Sequence, residues 1–297
     1  MTTSSIEPKA PQGRLDESLD RAKRAVSALQ DQGDTPEAAE AFLDAARAQW
    51  EHGDVDEAVM AVDEAIGRAR RAFGASDVHY ARALEIGAEI AAAAGMPHAA
   101  SARFEGALEA LDRAGVTGEL LADTLYHQGL FRRAQGDAGG AASSLLRAIE
   151  GAKDPASRAV LALSLTALGE LVLDQGQAKE ARELATRALE IWVELREVRR
   201  PEVGDAMSVL GRAALADGDP GTAADFLAPA CAVYAKCTAD VRERHAPAAA
   251  AHATALDALG QRKAAHDAYH RALALYREGD DHRMEIEQRL LELAREG

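Results

Sequence analysis

The sequence predicts an all-α fold, a solenoid of stacked antiparallel helix hairpins, and three observations predict it. A glycine returns every 40–42 residues with alanines at fixed offsets behind it; aromatic residues are only 4% of a chain that is 47% hydrophobic; and alanine fills 69 of 297 positions. A core so poor in large side chains calls for closely approaching helices rather than sheets.

The repeat decides the architecture. Ala follows five and twelve residues after each glycine at Gly53/Ala58/Ala65, Gly95/Ala100/Ala107, Gly136/Ala141/Ala148, Gly176/Ala181/Ala188, Gly218/Ala223/Ala230 and Gly260/Ala265/Ala272. Twelve alanines in twelve slots has a chance probability on the order of 10⁻⁸ at this alanine content. Seven residues before each glycine stands Ala46, Ala88, Gly129, Gly169, Gly211 or Ala253, a third small position that lets two backbones come close. One amphipathic helix ends at the glycine, which takes the left-handed conformation of a helix C-terminus without steric cost, and the next starts at once.

In chain order, residues 1–13, rich in Ser, Thr and Pro, read as a disordered tail, and 14–297 as a single solenoid domain. A lone amphipathic helix is expected at about 15–30, then six hairpins, then a second lone helix at 283–295; either end helix can cap a solenoid. Pro97 and Pro220 stand two residues past their glycines, in the first turn of a second helix, where a missing N–H costs nothing. In the fourth hairpin, Leu165, Leu168, Leu171 and Val172 face a stripe of Ala181, Leu184, Ala185, Ala188 and Leu189. The breakers Gly74–Asp77, Gly115–Gly118, Asp154-Pro155, Arg200-Pro201 and His245-Ala246-Pro247 mark the turns between hairpins.

Charge and composition narrow the function. A formal net charge of −15, from 49 acidic against 34 basic residues, repels nucleic acid, and no basic patch offsets it. Cys231 and Cys237, six apart on one expected helix, point to different faces and do not suit a disulfide. No signal-peptide core stands at the start and no stretch approaches eighteen apolar residues, so a cytoplasmic protein without a membrane partner is expected. The preference for Arg over Lys, with so much Ala, hints at a GC-rich bacterial genome.

The placement of small residues over roughly 37–278 resembles the tetratricopeptide repeat family, and the period near 42 resembles its longer-helix, kinesin-light-chain-like bacterial subtype. The resemblance implies a right-handed superhelix whose first helices line a concave groove that receives a peptide or partner helix. Carried over by register, the groove comprises Leu43, Arg47, Trp50, Arg82, Glu85, Glu89, Tyr126, Leu130, Arg133, Thr166, Glu170, Leu173, Ser208, Arg212 and Leu215, with Thr254 and Asp257 in the last unit. The chain departs from the family in having no Asn, which removes the amide ladder of peptide-holding relatives. The lysine and asparagine clamp for a C-terminal carboxylate is also missing, although Arg47, Arg133 or Arg212 could each grip a carboxylate.

Other signals have bland readings beside the sharp ones. Trp50 and Tyr126 are either binding anchors or core aromatics, and Trp192 reads as packing between repeats. His266 and His270, four apart with His252 near by register, lack the acidic or thiolate ligand that would complete a metal site, so no metal or cofactor is expected. The acidic runs at 51–57 and 278–281 read as solvated turns and helix starts. No phosphate loop, His-Glu-x-x-His helix or nucleophile elbow occurs, which argues against an enzyme. The leading expectation is a non-catalytic adaptor or regulatory scaffold for a protein or peptide. The alternatives are a self-associating solenoid, suggested by the featureless Pro247, Ala250, Ala251 and Ala258, and a sensor module acting with a separate effector.

Overall fold

Glycine at the end of one helix and alanine along the next suit a close-packed hairpin, and the computed structural model shows six of them. It describes residues 12–29, 31, 33–197, 200–237 and 241–296, among which there are fourteen α-helices, one short 3₁₀ turn and no strand. Most of the expected tail, 1–13, lies outside the described residues; positions 12 and 13 already belong to α1 (Gln12–Leu29).

The backbone contacts gather the chain into two compact units, Met1–Val160 and Leu161–Gly297. In the first, α1 packs on the hairpin α2 (Pro36–His52) with α3 (Val55–Phe73), followed by α4 (Val78–Ala93) with α5 (Pro97–Arg113) and α6 (Glu119–Ala134) with α7 (Ala138–Gly151). The second holds nearly all of α8 (Arg158–Asp174), then α9 (Ala178–Glu194), α10 (Pro201–Ala216) with α11 (Pro220–Tyr234), α12 (Arg242–Ala258) with α13 (Arg262–Leu273), and α14 (Asp281–Glu296) packed on α13.

The repeat positions do what their chemistry requires. Gly53 has φ of 103°, and its N–H bonds the carbonyls of Gln49 and Trp50; the other five turn glycines lie at φ of 70–80°. All twelve repeat alanines have no exposed surface. At the third small position the helices almost touch: a Cβ on Gly129 would sit 2.8 Å from Leu145 Cγ, and one on Gly211 would run into Leu227 and lie 3.1 Å from the Ala223 carbonyl oxygen. Around this alanine frame each unit buries larger residues, Phe104, Leu111, Leu125 and Leu145 in the first and Leu165, Trp192, Leu227 and Tyr234 in the second. Each buried Leu or Phe contributes about 1.5–3 kcal/mol of transfer free energy. The end helices join in: Leu19 and Ala22 of α1 meet Ala45 and Ala48 of α2, and Ile286, Leu290 and Leu293 of α14 meet Ala268, Tyr269 and Ala272 of α13.

Pro36, Pro97, Pro201 and Pro220 each open a helix, and Thr35 caps α2 by accepting from the Ala38 N–H at 3.2 Å. Three expectations need correction. His245-Ala246-Pro247 is not a turn but the second turn of α12; only the Glu243 carbonyl forfeits a helical partner to the proline there, and Glu243 is exposed to water. Pro155–Asp174 is, by length and a mean hydropathy of 1.5, apolar enough to cross a membrane; 67% of that window is buried inside the protein, as a core helix requires. Cys231 lies on α11 and Cys237 beyond its end, so they do not share the helix the sequence assigned them; both are free thiols.

Candidate functional site

The three first helices of unit one, α2, α4 and α6, are held side by side by the buried alanines behind them, and their front faces enclose a cavity of about 570 Å³. Arg47, Trp50 and Glu51 of α2 form one wall, Glu119, Asp123 and His127 of α6 the other, and α4 lies between them. Five carboxylates (Glu51, Glu85, Glu89, Glu119, Asp123) face two guanidinium groups (Arg47, Arg82), so the lining is acidic.

The deepest of these carboxylates is Glu85, 5% exposed. Burial pushes its carboxyl up to about 7, with Asp123 and Glu89 adding to the rise and His127 and a hydrogen bond with Thr124 opposing it. His127 is flanked on both sides: its Nδ1 lies 3.4 Å from Glu89 Oε1 and its Nε2 3.6 Å from Asp123 Oδ1. One ligand-capable atom from each of Glu85, Asp123 and His127 can be chosen so that all three lie within 4.8 Å of one another, the group of this kind among the described residues.

Of the residues selected from sequence, Arg47, Trp50, Arg82, Glu85 and Glu89 come together in this cavity, and Leu43, Arg47 and Arg82 line a smaller hollow of about 230 Å³ beside it. Tyr126, Leu130 and Arg133 lie half-buried on α6 outside the cavity; the Tyr126 ring stands edge-on to His127 with centroids 5.1 Å apart. In unit two the selected residues are more deeply placed or already bonded. Thr166 is buried and donates to the Ala162 carbonyl at 2.9 Å, and Ser208 is buried. Arg212 pairs with Asp174 at 3.5 Å, Glu170 and Leu173 are half-buried, and Leu215 packs against the α10–α12 core. Thr254 donates to the Ala250 carbonyl, and Asp257 takes a two-pronged pair from Arg289 at 2.6 and 3.1 Å.

Sequence reasoning passed over Asp123 and His127, and a signal for them existed. Arg82 stands thirteen residues before Gly95 and Asp123 thirteen before Gly136, so the register that selected one also selects the other. His127 then follows Asp123 by four, on the same helical face, as Glu89 follows Glu85. The histidine pair that drew attention instead, His266 and His270, stacks edge to face at 4.6 Å on α13 with His270 exposed.

Unit two carries a partly buried network of its own. The Tyr234 hydroxyl donates to Asp205 Oδ1 at 2.7 Å and Arg244 reaches Oδ2 at 3.2 Å. Burial pushes the Asp205 carboxyl up to about 7 against the pull of Arg244 and Tyr234, while Glu170 and Glu202 reinforce the rise; Tyr234 stays a phenol. These groups tie α10, α11 and α12 together.

Residues 160–236 match the tetratricopeptide repeat family. No curated protein matches the sequence. Among solved structures the chain is similar to BtubC (BKLC) from P. vanneervenii, with 19% identity and a TM-score of 0.61, covering 75% of this chain and 89% of that one. It is similar also to a putative kinesin light chain from Podosopora anserina, with 18% identity and a TM-score of 0.52, covering 76% of this chain and 96% of that one. A chain of the APC/C hetero-tetramer Cut9–Hcn1 gives a TM-score of 0.70 at 14% identity over 94% of this chain and 46% of its own length. At such identities the likeness is one of fold. The matched segment is a tetratricopeptide repeat, and the chain as a whole shares the fold of tetratricopeptide-repeat solenoids, kinesin-light-chain-like ones among them.

Proposed function

We propose that this tetratricopeptide-repeat chain is a non-catalytic, cytoplasmic scaffold that holds a segment of a partner protein against the first helices of unit one. The observation that carries the reading is the cavity: side chains from α2, α4 and α6 converge on one acidic hollow, rimmed by the half-buried Trp50. A segment carrying a Lys or Arg suits it, because the carboxylates outnumber the guanidinium groups and Trp50 offers a face for a cation. Proteins of this fold work in assemblies, Cut9–Hcn1 among them. No nucleic acid fits so acidic a surface.

The self-associating alternative drew on the bland first helix of the last hairpin. Ala250 and Ala251 are engaged within the chain, Ala250 against the α13–α14 cluster and Ala251 against the α10–α11 cluster, which leaves that face less to offer a second copy.

Affinity capture with the full chain, run in parallel with a Glu119→Lys variant, tests the proposal. Glu119 is exposed at the cavity wall, so the substitution changes its charge without opening the core. A defined partner held by the wild type, released by salt and lost from the variant is the expected result. Equal recovery on both, or light scattering that shows only self-association, would overturn it.

A further inference from the structure

Two helices of unit one each carry a pair of potential ligands one turn apart, Glu85 and Glu89 on α4, Asp123 and His127 on α6, and Glu85, Asp123 and His127 converge on one point. Residues four apart on a helix lie on one face, so the two pairs supply three ligands and a supporting carboxylate from rigid elements rather than from loops. We propose that Glu85, Asp123 and His127 bind a divalent transition-metal cation of the zinc type, with Glu89 orienting His127 from behind.

Metal–ligand bonds of about 2.0–2.2 Å place neighbouring ligand atoms of a tetrahedral site roughly 3.4 Å apart. The 3.6 Å between His127 Nε2 and Asp123 Oδ1 already has that span, and the whole set of three, within 4.8 Å, closes on an ion through small side-chain rotations. Nδ1 of the same ring is 3.4 Å from Glu89, and a carboxylate behind a ligating imidazole is the usual device for fixing its tautomer and direction. Among the described residues no Arg or Lys pairs with Glu85, although its carboxyl is buried and faces the cavity. A cation would compensate it. One imidazole nitrogen with carboxylate oxygens suits Zn²⁺, Co²⁺ or Mn²⁺ better than Ca²⁺, which takes six to eight oxygens. The cavity leaves the remaining coordination positions open to solvent.

The inference does not rest on the docking reading, because it concerns the chain alone. The test is calorimetric titration of the chelator-treated full chain with Zn²⁺, and with Co²⁺ followed by visible absorption. One equivalent is expected, with Co²⁺ bands of nitrogen and oxygen ligation. An Asp123→Asn/His127→Gln variant, folded by circular dichroism, should lose uptake at least tenfold. Glu89→Gln should weaken it by about 10- to 100-fold while leaving one equivalent bound, which a purely structural role for Glu89 would not do. A His266→Gln/His270→Gln variant should bind as the wild type does. Absence of heat and of Co²⁺ absorption in the wild type overturns the proposal, as does uptake that survives the Asp123/His127 variant or vanishes in the His266/His270 one.

Discussion

Unit one and unit two are cut from the same template and use it differently. Both keep the turn glycines at positive φ and all the repeat alanines buried, so the fold is secured in the same way in each. In unit one the front faces of the first helices carry carboxylates, arginines, Trp50 and His127 around a cavity. The equivalent helices of unit two place small or hydroxylated residues there, such as Thr166 and Ser208, and spend their charges internally. Asp205 is bonded by Tyr234 and Arg244, Asp257 by Arg289, and Asp174 by Arg212. A repeat frame thus fixes where helices lie and leaves the exposed first-helix positions free to become either a site or a brace.

That contrast can be broken or sharpened experimentally, and the largest effect belongs to the frame itself. Gly211→Ala should destabilise unit two by about 1–3 kcal/mol, because the new methyl meets Leu227 and the Ala223 carbonyl oxygen. Gly129→Ala should cost unit one somewhat less, since only the Leu145 side chain must give, and Gly169→Ala less again, its neighbours standing at 3.4 Å. Urea unfolding reads the two units separately, because Trp50 lies in one and Trp192 in the other. A uniform response across the three glycines would mean that the close approach is not what holds the register.

Each unit holds one carboxyl that burial raises to about 7, Glu85 in unit one and Asp205 in unit two, and the unit-two effect can be read by itself. An unfolded Asp205 ionises near 3.8, whereas burial holds the folded carboxyl up to about 7, so between those values the folded unit keeps a proton that the unfolded chain has lost. The associated stability is therefore complete below about pH 3.8 and is lost as pH rises through about 7. Trp192 fluorescence melts of the wild type should fall in Tm over that range more steeply than those of Asp205→Asn. Arg244, Tyr234, Glu170 and Glu202 are retained in both chains, so parallel slopes would remove Asp205 as the cause. The smallest expected effect is on the stability of Glu119→Lys, a loss of about 0.5–1 kcal/mol, because Glu119 is exposed but opens α6, where a carboxylate favours the positive end of the helix.

Much of the fold was legible because it rests on one-residue rules. Glycine at a helix end and alanine at a close approach have no good substitutes, so Gly53, Ala58 and Ala65 and their counterparts announce themselves by spacing alone. The failures have equally local causes. Pro247 suggested a turn, yet a proline near a helix start removes a single bond that solvent replaces. The apolar run at 155–174 was underrated because interspersed Ser, Thr and Gly mask it.

Site residues were harder to read, since register says which residues share a face and not how deep each one sits. Glu85 and Thr166 fall on first helices alike, but one opens on a cavity and the other turns its hydroxyl back to its own helix. Asp123 and His127 acquire meaning only once α4 stands beside α6. Neither residue is unusual taken singly.

The most direct test of the division between site and brace is photo-crosslinking of the captured partner. A photoreactive residue is placed at position 119 on the unit-one cavity wall in one chain and at position 212 on α10 in another. The account predicts an adduct with the partner from position 119 and none from position 212; an adduct from 212 alone would contradict it.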